Sequence, residues 1–314
     1  MNFLSGEDIS KQVTAGSLIQ ELERFFLEKQ NVKMPERIHI DDEKNTVLIM
    51  PAFDADYYAI KLAGVALDNK TVGKPTIHAN VILHDRKTLE PLAYMDGNTV
   101  TAMRTGAIGG LSMKWLADES ARSIGIIGTG IQGWSHLEAA MSVRDIRTVY
   151  LHNRSPQKLE VFKERVETTY PQLKVVSASV DQLVEASDII VTTTTSPTPV
   201  LPDKGREDWN GKHIVAVGSF KPDMQELPDT LLKETNPIFV DTPTALTESG
   251  DMLRAKELQG EDARFMTLEE IVGHSSISDK QRYTVFKSVG MALFDLIAAK
   301  TIYEKNIRNF QHAK

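Results

Sequence analysis

The stretch SIGIIGTGIQGW, residues 123–134, sets Gly128, Gly130 and Gly133 in the spacing G-x-G-x-x-G. It follows an apolar strand pattern and precedes apolar residues that return at helical spacing, which constrains the fold more than any other segment. In a dinucleotide-binding turn the first glycine permits the tight bend, the second lets backbone approach a pyrophosphate, and the third lets helix pack on strand. Free N–H groups at the helix N-terminus, around Ile131 and Gln132, then face the phosphates. A glycine turn in any α/β sheet would show the same three residues, so context decides. Downstream, TVYLHN, SPQKLEVFKERVETTY, KVVS, VDQLVEA, DIIVTTTT, KHIVAVG and PIFVD alternate near-continuous apolar strands with amphipathic helices. That is the pattern of a parallel sheet covered on both faces. The expected class is α/β, a Rossmann-type doubly wound parallel sheet domain joined to a second, α+β domain.

The second domain is read mostly from the N-terminal third. SLIQELERFFLEKQ sets Leu18, Leu22, Phe25 and Phe26 on one helical face, and RIHI, TVLIMPAF and TIHANVILHD read as strands bounded by the turn-formers DDEKN and DNKTVGKP. A helix is expected from about Thr99 to Ala117, with a domain boundary near Asp118. The closing stretch QRYTVFKSVGMALFDLIAAKTIYEK is expected to be one helix that returns to the first domain. The expected domains are therefore 1–117 with 275–314, and 118–274.

Composition removes several classes of function. With no cysteine there is no disulfide, thiol nucleophile or thiolate metal site, and the eight histidines, His78 and His84 among them, lack ligand spacing, so no metal is expected. A net charge of -7 without a Lys/Arg block argues against nucleic acid as a partner. The opening MNFLSGEDIS has no basic and apolar leader pattern, and no window approaches the roughly 18 apolar residues of a membrane span. A cytoplasmic protein acting on a small molecule, with no membrane partner, is expected.

The strand VYLHNRS should end beside the adenosine ribose, where enzymes using NAD place an acidic side chain. Here stand Asn153, Arg154 and Ser155. A guanidinium can pair with a 2′-phosphate while amide and hydroxyl add hydrogen bonds, so NADP(H) is the expected cofactor and NAD(H) the other option. A solvated loop arginine is the competing reading of Arg154.

Further strings occur in order along the chain: MPERI, MPAFDADYYAIKLAG, KPTIHANVILHDRKTLEPLAYMDGNTVTAMRTGA, VGSFKPDMQELP, FVDTPTALTESGDM and YTVFKSVGMALFDLIAA. Together they resemble the ornithine cyclodeaminase and mu-crystallin family over nearly the whole sequence. The resemblance implies a homodimer whose first domain forms both the dimer interface and the substrate site. It further implies that Arg37, Lys61 and Arg104 hold a substrate carboxylate, with Thr76 nearby. On the cofactor side it implies Arg104 and Thr105 of the RTGA turn, Thr194 and Thr195 at a strand end, Gly218, and Ser288. Taken alone, Lys61 in its apolar run reads as a snorkelling lysine, Arg37 and Arg104 as surface or ion-pair residues, Thr76 as a strand former, and the hydroxyls as local backbone partners.

One departure sharpens the expected reaction. Cyclodeaminases of this family carry an aspartate two residues after the glycine of VGSFKPDMQELP, where this chain has Phe220; a second acidic position before MP aligns with Leu48. A phenyl ring can neither take a proton nor pair with an ammonium group, whereas it suits the methylenes of a cyclic imine. The expected activity is reduction of a small cyclic imino acid, Δ1-pyrroline-2-carboxylate or its six-membered homologue, to L-proline or L-pipecolate, with Lys61 as the assisting acid. The alternatives are ornithine cyclodeamination with Asp223, Glu226 or Glu248 as a replacement acid, an alanine- or opine-type amino-acid dehydrogenase, and a ligand-binding protein of mu-crystallin type.

Overall fold

The computed structural model describes residues 1–273 and 283–312, which form two compact units, Met1–Thr105 with Met291 onward, and Gly106–Gly290. In chain order the elements are β1 (Asn2–Leu4), α1 (Gly6–Gln12), α2 (Ala15–Glu28), β2 (Ile38–Asp42), β3 (Asn45–Phe53), β4 (Tyr57–Ala66), β5 (Ile77–Asp85), β6 (Pro91–Asp96) and α3 (Gly97–Leu116). There follow β7 (Ser123–Ile127), α4 (Ile131–Val143), β8 (Thr148–His152), α5 (Pro156–Thr169), β9 (Lys174–Ser177), α6 (Val180–Ala186) and β10 (Ile189–Thr192). The chain continues with β11 (His213–Ala216), α7 (Asp229–Glu234), β12 (Ile238–Val240), α8 (Ala245–Glu248), α9 (Gly250–Gln259), β13 (Phe265–Thr267), α10 (Leu268–Ile271), β14 (Thr284–Lys287) and α11 (Ala292–His312).

The first unit is a six-stranded sheet in the order β1-β6-β5-β4-β3-β2, antiparallel except where β1 joins β6. Its strands alternate, and one face is covered by α11, which packs on β3, β4 and β5 and against α1 and α2. Thr14 and Ser17 form a reciprocal cap that starts α2, which buries Leu18, Ile19, Leu22 and Phe25; Phe26, expected on that face, is only half-buried. Lys300 of α11 reaches Asp54 at 2.9 Å, and Asp54 also accepts the N–H groups of Asp56 and Tyr57, so the helix is tied to the turn between β3 and β4.

The second unit is an eight-stranded, wholly parallel sheet, β13-β12-β14-β11-β10-β7-β8-β9. From β7 the chain first runs outward through β8 and β9 and then crosses to β10, so strand order reverses between β7 and β10. In open α/β sheets ligands bind at the carboxyl ends beside such a reversal. Strands β10, β11 and β12 are buried at every position, as a sheet covered on both sides requires.

Two expectations change. The stretch from Tyr283 is not helical throughout: Thr284–Lys287 is a strand inserted between β11 and β12, and the helix starts at Ala292, after Gly290 at φ +80°. Short apolar segments such as YTVF and MALF cannot be assigned to strand or helix by periodicity alone, and TVF is β-branched and aromatic. The first unit boundary falls at 105/106 rather than near Asp118, because the later part of α3 packs into the second unit. A Cβ added at Gly106 would lie 2.6 Å from the Ser135 carbonyl oxygen, and one at Gly109 would meet the His136 ring, both on α4. The expected 274/275 boundary lies outside the described residues.

Candidate active site

Strand β4 carries an inversion of polarity. Ala59, Lys61 and Ala63 face the covered side of the sheet, while Leu62 between them is 43% exposed. An ammonium at 6% exposure is costly unless paired, and α11 supplies the partner. Both carboxylate oxygens of Asp295 lie 3.4 Å from Lys61 Nζ, and Oδ1 also accepts from Arg104 Nε at 3.1 Å. All three side chains are buried. At formal charges, two cations around one carboxylate leave one positive charge uncompensated.

Arg37 lies beside this cluster. Ile38 stands opposite Ile49 and Met50 opposite Lys61, so the half-buried Arg37 is level with Lys61 two strands away. Burial lowers the Lys61 pKa to about 8, with Asp295 opposing the fall and Arg104 and Arg37 adding to it. The group can therefore hold a ligand carboxylate and also release a proton near neutrality. Thr76 is not part of this cluster: its carbonyl accepts from Ala66 N at 2.8 Å, about 17 Å along the strand from Lys61 at about 3.3 Å per residue. The Thr105 hydroxyl donates to Thr101 O within its own helix.

In the second unit the three glycines of the loop after β7 differ in what they make room for. Gly128, at φ +102°, donates its N–H to His152 O, and a Cβ there would strike Thr193. Gly133 brings α4 against the strand, since its Cβ would sit 2.5 Å from Gly128 O. Gly130 has no heavy atom within 4 Å of the Cβ position and is the N-cap of α4, without a side-chain cap. Open space beside uncapped N–H groups, flanked by exposed Ile131 and half-buried Gln132, fits a pyrophosphate.

Across the strand reversal, the loops after β10 and β11 are braced from behind by Glu226. Its buried carboxylate accepts from Thr192 Oγ1 (2.9 Å), Thr194 N (2.6 Å), Thr194 Oγ1 (2.8 Å) and Gly218 N (2.6 Å). Gly218 is glycine because a Cβ would collide with the Thr194 backbone. Asp241 does similar work behind β14, accepting from Ser288 Oγ, Val289 N and Gly290 N. Thr194, Gly218 and Ser288 are thus fixed by local bonds just beyond the carboxyl ends of their strands, while Thr195 is exposed. Phe220 follows β11 at 39% exposure. Glu226, one of the candidate replacement acids, has its carboxylate taken up by these donors, and burial pushes its pKa up.

Sequence reasoning missed Asp295 and the bracing roles of Glu226 and Asp241. The signal for Asp295 was a lone acid in the apolar run MALFDLIAA.

The ornithine cyclodeaminase/mu-crystallin family profile matches residues 2–309. A Δ1-pyrroline-2-carboxylate reductase of Bacillus cereus is 37% identical over 297 residues, covering 91% of this chain and 89% of the relative. Among solved structures, the Thermococcus litoralis Δ1-pyrroline-2-carboxylate reductase in complex with NADH and L-proline superposes with a TM-score of 0.88 at 32% identity, covering 98% of both chains. An archaeal alanine dehydrogenase dimer with bound NAD gives 0.87 at 29%, covering 98% of this chain and 97% of the other. These bound cofactors overturn the expected preference for NADP(H). The local geometry explains the error. Asn153 spends its amide on Thr129 Oγ1 (2.6 Å) and Ser155 N (2.9 Å), and Ser155 caps α5, leaving an exposed Arg154 without the polar neighbours a 2′-phosphate site was expected to use.

Proposed function

This chain belongs to the ornithine cyclodeaminase/mu-crystallin family, and on that premise we propose that it is an NAD(H)-dependent ketimine reductase converting Δ1-pyrroline-2-carboxylate to L-proline. The observation that carries the reading is the buried Lys61–Asp295–Arg104 cluster with its single uncompensated positive charge. A cyclic imino acid brings one carboxylate to balance it. Arg104 and Arg37 would hold that carboxylate, and Lys61 would both hold it and pass a proton to the imine nitrogen. When bound, NAD(H) supplies the hydride that reduces the C=N carbon. Gly128, Gly130 and Gly133 with the α4 N-terminus would hold its pyrophosphate, and Thr194, Thr195, Gly218 and Ser288 would line its nicotinamide end.

Release of nitrogen from ornithine would need a free acid at the amine. Phe220 cannot serve, and the Glu226 carboxylate is already engaged. The assay is NADH oxidation with enzymatically generated Δ1-pyrroline-2-carboxylate. Proline should form in step with NADH consumed, whereas ammonia released from ornithine and NAD, with the imine ignored, would overturn the reading.

We further propose a homodimer seated on the uncovered face of the six-stranded sheet, where Ile38, Ile40 and Leu62 are exposed beside half-buried Ile49 and Ile60. An apolar surface of that kind marks an interaction site. Among the described residues no helix is long and apolar enough to cross a membrane. Dependence on the cellular NAD(H) pool favours a cytoplasmic location.

A further inference from the structure

Asp295 joins the substrate cluster from 234 residues beyond Lys61 and 191 beyond Arg104. Its bond to Arg104 runs through Nε, which fixes the guanidinium plane and leaves the Nη groups for a ligand carboxylate. Its approach to Lys61, 3.4 Å from each oxygen, is longer than the roughly 2.7–2.9 Å of a tight charge-assisted bond. The ammonium is kept close without being locked, and its other N–H bonds stay available. The charged groups acting on Lys61 are Asp295 from α11, Arg104 from α3 and Arg37 ahead of β2; opposite it on the neighbouring strands stand Met50 and Val81, both apolar. Asp295 is thus the one anion in that set, while both arginines and burial work against the ammonium.

We propose that Asp295 is the positioning residue of imine reduction: it keeps Lys61 protonated at working pH and aligns Arg104, so that proton and carboxylate clamp are ready together. The inference rests on Lys61 as the proton donor. In the step it serves, hydride from the dihydronicotinamide adds to the imine carbon, and the cofactor is oxidised by two electrons. The C=N π pair moves to nitrogen, nitrogen takes a proton from Lys61 Nζ, and water then reprotonates the lysine.

The test is the pH profile of kcat/KM for imine reduction in the wild type and in the Asp295→Asn, Asp295→Ala and Lys61→Arg variants. Wild-type activity should fall as pH rises through about 8, the value to which Lys61 is lowered. Asp295→Asn should move that midpoint down by a pH unit or more, so that activity lost at pH 7.5 is largely regained near pH 6. Asp295→Ala should recover at least tenfold when formate is added to fill the vacated carboxylate position. An unmoved midpoint in Asp295→Asn, or an Asp295→Ala variant indifferent to formate, would overturn the proposal. Lys61→Arg, always protonated, should lose the alkaline limb. If that limb persists in Lys61→Arg it belongs to the substrate imine, and the donor reading falls, taking the proposal with it. Loss of the limb in Lys61→Arg beside an unmoved Asp295→Asn profile would sink the role of Asp295 alone.

Discussion

The two sheets of this molecule solve burial in opposite ways. The parallel sheet is enclosed on both faces, and its strands β10, β11 and β12 have no exposed position at which a charge could be placed cheaply. Its polar residues sit at the strand ends and beyond, where Glu226 and Asp241 hold loops in shape. The antiparallel sheet is covered on one face only, and there a lysine points inward while a leucine on the same strand points out. In the enclosed sheet the free polar groups at the strand ends are largely backbone, as at the uncapped N-terminus of α4. In the half-covered sheet the charge is put under the covering helix and is carried by side chains.

That contrast can be broken most decisively at Lys61. Lys61→Ala should lower turnover by about a hundredfold or more, the usual worth of a positioned general acid, and raise the KM for the imine as well. A variant near wild type in both would return Lys61 to snorkelling.

The enclosed sheet should fail through acid rather than through one side chain. His136 is buried with its pKa lowered to about 4, and His213, between Ser112 and Thr284, to about 3, in both cases chiefly by burial. Both stay neutral in the folded protein at pH values where the unfolded chain, with a pKa near 6.5, binds protons. Their contribution to stability is full above about pH 6.5 and is lost as pH falls, by about 3 kcal/mol for each at pH 4. Urea midpoints between pH 7 and pH 4.5 should fall steeply, and replacing His213 by Gln should flatten the slope. A flat wild-type profile would contradict this.

The half-covered sheet predicts an effect on assembly. Leu62→Lys on its open face should shift sedimentation from dimer towards monomer while far-ultraviolet circular dichroism stays unchanged. An unaffected dimer would place the interface elsewhere. The smallest effect belongs to the cofactor loop: because Arg154 is exposed, Arg154→Asp should leave the KM for NADH within about twofold, as an ordinary surface change would. A tenfold rise would show that the arginine carries cofactor affinity after all.

Legibility in the sequence followed the same divide. SIGIIG, DIIVTTTT and KHIVAVG announced buried parallel strands because enclosure on both faces demands continuous apolar runs, and the glycine spacing told its own geometry. The half-covered sheet was harder: β1, β4 and β6 were not read as strands, since β1 and β6 are short and β4, though ten residues long, has Lys61 and Tyr58 diluting its alternation. Strand β14 was absorbed into a helix because its four residues run into the apolar helix pattern that follows with only a short loop between. At the site, Lys61 and Arg104 were found through family motifs, whereas their shared counterion was not, because a pairing across 191 residues leaves no local spacing to read. The cofactor error has another origin. Chemistry available to Arg154, Asn153 and Ser155 as residue types was assumed to be free, while the fold had already committed two of them to the loop and the helix cap.

The helix that covers Lys61 follows the whole of the second unit along the chain. Until Met291 onward leaves the ribosome, the antiparallel sheet has neither its cover nor the counterion for its cations, although the whole intervening nucleotide-binding unit is already complete. Biogenesis is therefore ordered, with the inserted unit free to form first and the surrounding one waiting for its final turns. A nascent chain stalled short of α11 would display an unroofed apolar sheet, a natural target for chaperones and proteases.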